Sequence, residues 1–380
     1  MPELSKLALS QKRSGIREIM DLSASMEDII HLEVGEPLFN TPSHIIEAAF
    51  KAAEEGYTKY TASAGLTSLR KIISDRLNKD YNLNLNSDEV VVTVGGIGAI
   101  TSSLRALTDL GDEVLVPDPC WPNYQMIISC IGAVPIRYPL DPDRDYQPDL
   151  AEMEKLITQK TKVIIINSPS NPLGVVFPEK TVQELVDFAR RKDLYIISDE
   201  VYEKIIFRGK HVSALSFDTD GRVIGTFSLA KTYAMTGWRL GYAVAAKPVA
   251  TQIAKLQEAF VSCAPSISQK AAEAAFLGSQ DCVEEMRLVY ERNLNLAKDL
   301  LDAYHIRYQE PSGAFYLWID VKCEDSTDFA RELLINEKVA VAPGVTFGPS
   351  GRQYIRISLA SPEKAIKSGL ESLNVFMKKQ

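Results

Sequence analysis

Between Ser228 and Gly241 the chain sets a hydroxyl, a primary amine and a guanidinium in one turn-rich segment, Ser228-Leu-Ala-Lys231-Thr-Tyr-Ala-Met-Thr-Gly237-Trp-Arg239-Leu-Gly241. Together these groups describe an anion site that contains a nucleophilic lysine. An amine is a poor nucleophile while protonated, but beside Arg239 and away from bulk water its pKa can fall far enough for Schiff-base formation with an aldehyde. Ser228 and Arg239 then suit a phosphate, the arginine through a forked pair of charge-assisted hydrogen bonds. Taken singly, Lys231 reads as a surface lysine and Arg239 as an ion-pair partner, so the chemistry rests on the whole spacing S-x-x-K-x-x-x-x-x-G-x-R-x-G.

Other candidate residues also follow apolar, strand-like runs. Gly95-Gly96-Ile97-Gly98 comes after Val90–Val94 and opens a helix, whose first backbone amides favour a phosphate. A dinucleotide site is the rival reading, but G-x-G-x-x-G needs a third glycine where the chain has Thr101. Asp199 ends the run Tyr195–Ser198 in apolar surroundings, and a buried carboxylate there needs a cation or hydrogen-bond donors. Arg356 lies inside the apolar run Tyr354–Ser358, where its charge must likewise be matched. Trp121 alone reads as core, and Asn171, between Ser170 and Pro172, as a turn residue.

The elements that must position these residues are of an ordinary globular kind. The chain has 380 residues, 46% hydrophobic and 24% charged, long enough for two domains. A net charge of −8 disfavours nucleic acid as a partner, so an anionic ligand must meet local positive charge. No apolar run approaches membrane-span length and the first fifteen residues lack a signal-peptide core, which predicts a cytoplasmic protein with no membrane partner. Five cysteines without C-x-x-C spacing indicate neither a disulfide framework nor a zinc site.

Seven strands are predicted, at Val90–Val94, Val114–Val116, Val134–Tyr138, Val163–Asn167, Tyr195–Ser198, Val223–Ser228 and Tyr242–Ala245, separated mostly by helix-compatible segments. That alternation specifies an α/β fold, a mainly parallel sheet with helices on both faces, and its ligands belong in loops at the carboxyl ends of the strands. Upstream, Thr41-Pro42 predicts a helix start with Thr41 as cap and Pro42 at the first helical position. Beyond Lys247 longer helices and two short strands, Phe315–Val321 and Tyr354–Ser358, predict a smaller α+β domain.

The lysine signature and the segments around it resemble class I aminotransferases, the aspartate-aminotransferase-like enzymes of pyridoxal phosphate fold type I, and the matches run from residue 31 to residue 358. The resemblance implies a large cofactor-binding domain at 41–296, a small domain at 297–380 and an N-terminal arm, 1–40, packing with the small domain. It makes Lys231 the cofactor lysine, with Gly96, Ile97, Ser228 and Arg239 on the phosphate. Trp121 becomes the residue stacked on the pyridine ring, Asp199 the partner of the ring nitrogen, and Asn171 and Tyr202 the donors to the phenolic oxygen. Tyr124 stands where related enzymes often carry histidine, with its phenol available to Asp199. Arg356 becomes the clamp for the substrate α-carboxylate, with Gly35 and Asn171 beside the substrate, and Tyr60 a residue that reaches the phosphate of the neighbouring subunit.

The implied reaction is ping-pong transamination from an L-amino acid to a 2-oxo acid, 2-oxoglutarate being the expected acceptor, in a homodimer with composite sites. A carbon–sulfur β-lyase on the same fold and a non-catalytic pyridoxal-phosphate-binding protein are the alternatives. The substrate side chain is open: the two positions where relatives place a basic residue for a distal carboxylate, near Ala259–Phe260 and at Ile97, are not basic here.

Overall fold

A computed structural model describes residues 2–11 and 13–379. Its strands are β1 (Ile30–His31), β2 (Val90–Val94), β3 (Glu113–Asp118), β4 (Val134–Asp141), β5 (Gln147–Pro148), β6 (Thr161–Asn167), β7 (Tyr195–Asp199), β8 (Val223–Ser228), β9 (Leu240–Val244), β10 (Tyr308–Gln309), β11 (Tyr316–Asp320), β12 (Val339–Ala340), β13 (Ala342–Pro343) and β14 (Tyr354–Ser358). The large sheet has the order β2-β9-β8-β7-β6-β3-β4-β5. Only β9 and β5 run against the other strands.

The seven predicted strands are all present, and β5 adds an eighth at the edge. It is two residues long, one of them Pro148, and follows a short turn from β4, too little for an alternating pattern to register.

The central strands are apolar without a break because helices cover both sheet faces. Alternate residues face opposite sides of the sheet. Leu115, Ile164, Ile166 and Ile196 join one cluster, while Val114, Val116, Val163, Ile165 and Ile197 join another on the far side.

The order of the sheet decides where a ligand can sit. From β3 the chain moves outward to β4, then returns across β3 to β6 and proceeds the other way to β7 and β8. The reversal between β3 and β6 opens a crevice at the carboxyl ends of the strands. Asp118, Asn167, Asp199 and Ser228 are the last residues of their strands, so the loops after them converge on that crevice.

A second core holds the C-terminal part together. The antiparallel sheet β10-β11-β14-β13 packs with helices Ser326–Glu337 and Glu363–Met377. The N-terminal arm belongs to the same core: β1 pairs in parallel with β12, Ser358 N donates to Leu32 O at 2.8 Å, and Ile19 and Leu32 are buried there.

At Thr41-Pro42 local chemistry was overridden. The helix is Ser43–Glu54, with Pro42 at the capping position and no side-chain cap. The Thr41 hydroxyl instead donates to Ala234 O at 2.6 Å and accepts from Trp238 Nε1 at 2.9 Å, a long-range tie to the lysine segment.

Because Leu32 is 1% exposed within the second core, we expect Leu32→Ala to cost about 2–5 kcal/mol in chemical denaturation. A loss below about 0.5 kcal/mol, the usual size of a surface change, would mean that the arm is not part of that core.

Candidate active site

The convergent loops enclose a cavity of about 960 Å³. Every candidate residue from the sequence lines it except Tyr60, which lies in an irregular loop with 88% of its surface exposed. The lysine segment is the link between two neighbouring antiparallel strands: Ser228 at the end of β8 faces Gly241 in β9, and the short helix Leu229–Thr232 carries Lys231 between them. Lys231 Nζ donates to Gly35 O at 2.6 Å. Burial, reinforced by the positive charges of Arg356 and Arg239 and opposed by Glu36, pulls its pKa down to about 8. Such an amine is neutral far more often near pH 7 than an ordinary lysine, as a nucleophile or a proton acceptor requires.

Beside it lies an anion cup. Helix Gly95–Leu107 starts at the carboxyl end of β2, and its first-turn amides, Gly96 and Ile97 included, have no acceptor within the helix. Two glycines permit the close approach of Arg239 and of strand β9 to this helix start. Gly95 has φ +70°, and a Cβ there would lie 2.8 Å from Arg239 Nη2. At Gly241 a Cβ would meet the Gly95–Gly96 backbone at 2.5 Å. Arg239 itself takes φ +54° and anchors Nη1 on Thr236 O at 2.8 Å, a backbone state that a non-glycine residue holds only where its surroundings impose it.

Across the cavity Asp199 is buried at the end of β7. Tyr124 Oη donates to Asp199 Oδ2 at 2.5 Å, and Val201 N donates to Oδ1 at 3.3 Å. Burial outweighs these bonds and pushes the carboxyl up to about 6. Tyr124 stays a phenol, since burial and the adjacent Asp199 raise its pKa well above the usual value. The neighbouring Glu200 is held by Ser198, Ser213 and His211 at 2.9, 3.0 and 2.8 Å, so the turn after β7 is anchored on its far side.

Arg356 is 2% exposed in the middle of β14. Its guanidinium lies 4.3 Å from the Tyr316 ring centroid, Nη1 donates to Asn171 Oδ1 at 3.1 Å, and Nη2 donates to Glu33 O. Nε has no partner, and no carboxylate pairs with this arginine among the described residues. A buried guanidinium left this way is arranged for an anion from outside the chain.

Sequence reasoning passed over several neighbours. Tyr316 Oη lies 2.8 Å from Tyr202 Oη, and a Cβ on Gly35 would fall 2.0 Å from it, so the glycine makes room for this hydroxyl. Asn167 braces two loops, accepting from Asn171 N at 2.9 Å and donating to Asp199 O at 2.9 Å. Glu33, Arg13 and Arg17 also line the cavity. Tyr316 lies in a strand buried on both faces, which has no polar alternation to single it out, and the others carry no local signal either.

This donor set fits pyridoxal phosphate: an amine of lowered pKa for its aldehyde, a buried carboxylate for its ring nitrogen, the Asn171 amide and Tyr202 hydroxyl for its phenolic oxygen, and the Ser228, Arg239 and helix-amide cup for its phosphate. Among the described residues no group of three His, Cys, Asp or Glu could hold a metal ion, and no helix is long and apolar enough to cross a membrane.

Residues 27–373 match the family model "Aminotransferase class I and II". The chain is 36% identical to an aspartate aminotransferase of Pyrococcus abyssi, covering 97% of this chain and 96% of that one. It is 37% identical to a (5-formylfuran-3-yl)methyl phosphate transaminase of Methanocaldococcus jannaschii, covering 99% and 100%. Its fold superposes on the aspartate aminotransferase of Thermus thermophilus with maleate at a TM-score of 0.94, with 32% identity over 99% of this chain and 100% of that one.

The Asp199 environment has a consequence for stability. Its pKa in the folded chain, about 6, lies above the ordinary 3.8, so the folded state loses stability as pH rises through this window and ionises the buried group. At pH 7.5 the cofactor-free Asp199→Asn protein should exceed cofactor-free wild type by up to about 3 kcal/mol in urea unfolding, and the difference should vanish near pH 4. Equal stability at pH 7.5, or a pH-independent difference, would contradict the buried-carboxylate assignment.

Proposed function

The chain belongs to the class I and II aminotransferases, of which the aspartate-aminotransferase-like members depend on pyridoxal phosphate, and from that premise we propose that it moves the α-amino group of an L-amino acid to a 2-oxo acid, with 2-oxoglutarate as acceptor. The observation that carries the reading is the pairing, across one cavity, of the Lys231 amine with a buried Arg356 whose Nε is unpartnered.

In the proposed assignment Lys231 Nζ is the covalent anchor of the cofactor. Ser228, Arg239 and the amides of Gly96 and Ile97 hold its phosphate, Trp121 covers its ring, and Asn171 and Tyr202 donate to its phenolic oxygen. When bound, the cofactor supplies the carbonyl that takes up the amino group and an electron-withdrawing ring, which an ionised Asp199 keeps protonated.

Arg356 receives the substrate α-carboxylate in a bidentate fork, replacing water with a charge-assisted pair in a buried setting. That contact orients the α-carbon hydrogen toward Lys231. With its pKa lowered to about 8, the amine when free would accept the α-proton at Nζ and hold it for delivery to the cofactor's exocyclic carbon, on the far side of the transferred nitrogen, a transfer worth on the order of 10² to 10⁴ in rate. Gly35 O, 2.6 Å from Nζ, holds the amine in place between transfers.

Two further assignments belong to the same proposal. The arm 1–40 and residues 297–380 form one unit against a large unit, 41–296. The protein acts as a homodimer in the cytoplasm, with Tyr60 of one subunit reaching the phosphate bound by the other. The exposure of Tyr60, together with that of Leu38, Phe50, Phe260 and Leu277, is consistent with a surface that a second copy covers.

Borohydride reduction of the cofactor-loaded protein followed by peptide mapping should place the pyridoxyl group on Lys231; an adduct on another lysine would overturn the assignment. Mixing Lys231→Ala chains with Tyr60 variants, each inactive alone, should restore activity in heterodimers, one of whose two sites then combines both intact residues. Proven subunit exchange without restored activity would rule out composite sites.

A further inference from the structure

Tyr60 is almost wholly exposed, yet the segment that carries it is fastened down on both sides. Residues 57–66 form no regular element, but they lie against the edge strand β2, where Val92 N donates to Ala64 O at 3.0 Å. Gly65, at φ +94°, allows this approach, since a Cβ there would fall 2.6 Å from Val92 Cβ.

Two buried glutamines hold the segment from the helices that follow β9. Gln257, on helix Lys247–Val261, donates Nε2 to Ser63 O at 2.5 Å and to Val92 O at 2.8 Å. Gln269, on helix Ser266–Leu277, has no exposed surface and uses both ends of its amide. Its Oε1 accepts from Leu66 N at 2.7 Å, and its Nε2 donates to Thr61 Oγ1 at 3.0 Å and to Ala264 O at 2.9 Å. Thr61 N is held in turn by Cys263 Sγ at 3.5 Å, and Ser266 Oγ donates to Tyr57 O at 2.7 Å. Between these anchors Thr58, Lys59 and Tyr60 are all exposed.

A buried amide is tolerated when its polar atoms are bonded, and those of Gln269 are bonded to this segment and to the turn before its own helix. Within one subunit, ordering a segment that presents a phenol to water brings no evident gain. The gain arises when a partner meets the phenol already in place, because the conformational entropy has been lost during folding and not during assembly.

We infer that Gln269 is a positioning residue for the active site of the other subunit: its amide fixes the segment from which Tyr60 reaches the phosphate bound there. The inference rests on the composite-site reading and adds to it the group that holds Tyr60 ready. A phenol on a phosphate makes a charge-assisted hydrogen bond, whose loss lowers affinity roughly ten- to hundredfold. Loosening the segment forfeits part of that bond.

The test separates the two subunits of a dimer. Two differently tagged chains are combined so that one carries Lys231→Ala and a single site per heterodimer can hold the cofactor on lysine. Gln269→Glu, which keeps the shape of the side chain and removes its two amide donors, is placed either on the chain that retains Lys231 or on the Lys231→Ala chain. The cofactor dissociation constant is read by dialysis of the loaded heterodimers, from the absorbance of the lysine-bound form. In the second arrangement affinity should fall roughly tenfold, and in the first it should match the heterodimer with Gln269 intact. With pyridoxal, which lacks the phosphate, the two arrangements should bind alike. Tyr60→Phe, placed in the same two ways, should weaken binding only in the second. A loss confined to the chain that carries Gln269→Glu, or equal in both arrangements, would overturn the positioning role, while a Tyr60→Phe effect across the dimer would keep the composite site. Tyr60→Phe without an effect across the dimer would overturn the composite site and this inference with it. Should Gln269→Glu fail to assemble, Thr61→Val, which removes only the hydroxyl that Gln269 meets, decides by the same asymmetry.

Discussion

Asp199, Lys231 and Arg356 face one cavity as ionisable groups that no side chain of opposite charge pairs with among the described residues. Burial raises the pKa of the acid and lowers those of the two bases, in each case against the charged form. A protein can hold such groups only where the surrounding scaffold leaves them nowhere else to go. Much of the architecture can be understood as that scaffold. Asp199 is fixed by its place at the end of a strand buried on both faces, Arg356 by the two flanking strands β11 and β13, and Lys231 by the tight link between antiparallel β8 and β9. Each unmatched group then becomes a demand for a complementary one on the ligand, which is how instability in the empty protein turns into binding and chemistry.

The division into two cores serves the same end. Asp199 and Lys231 are carried by the large sheet, Arg356 by the small antiparallel one, and the arm packs with the second core while Gly35 meets the Lys231 amine. The Arg356 guanidinium ties these parts together, donating to Asn171 of the large unit and to Glu33 O of the arm. On the proposed assignment, a substrate carboxylate at Nε would extend the same network and couple substrate binding to the contact between these parts.

The strands were legible because their apolar runs are dictated by burial on both sheet faces, and the residues at their carboxyl ends stand out as polar breaks in those runs. Asp199 stood out for that reason, Arg356 as a charge inside an apolar strand, and Lys231 through the spacing of its segment. Asn167 was not, since its side chain braces loops through contacts between distant parts of the chain. Thr41 was misread because its local sequence supports a cap, whereas the fold presents it with the Trp238 indole and the Ala234 carbonyl, partners nearly two hundred residues away. Arg17 carried no signal at all: one arginine in an amphipathic helix is ordinary until the fold sets that helix against the cavity.

The most direct test of the central claim, that these buried groups carry out a reversible amino transfer, is a single half-reaction. The cofactor-loaded enzyme is mixed with an amino donor in the absence of any oxo acid, and the released oxo acid and ammonia are measured. The arrangement of Lys231 and Arg356 requires one equivalent of oxo acid per site, no ammonia, and then arrest until an acceptor is added. Continued turnover with ammonia release, or no oxo acid from any donor, would contradict it.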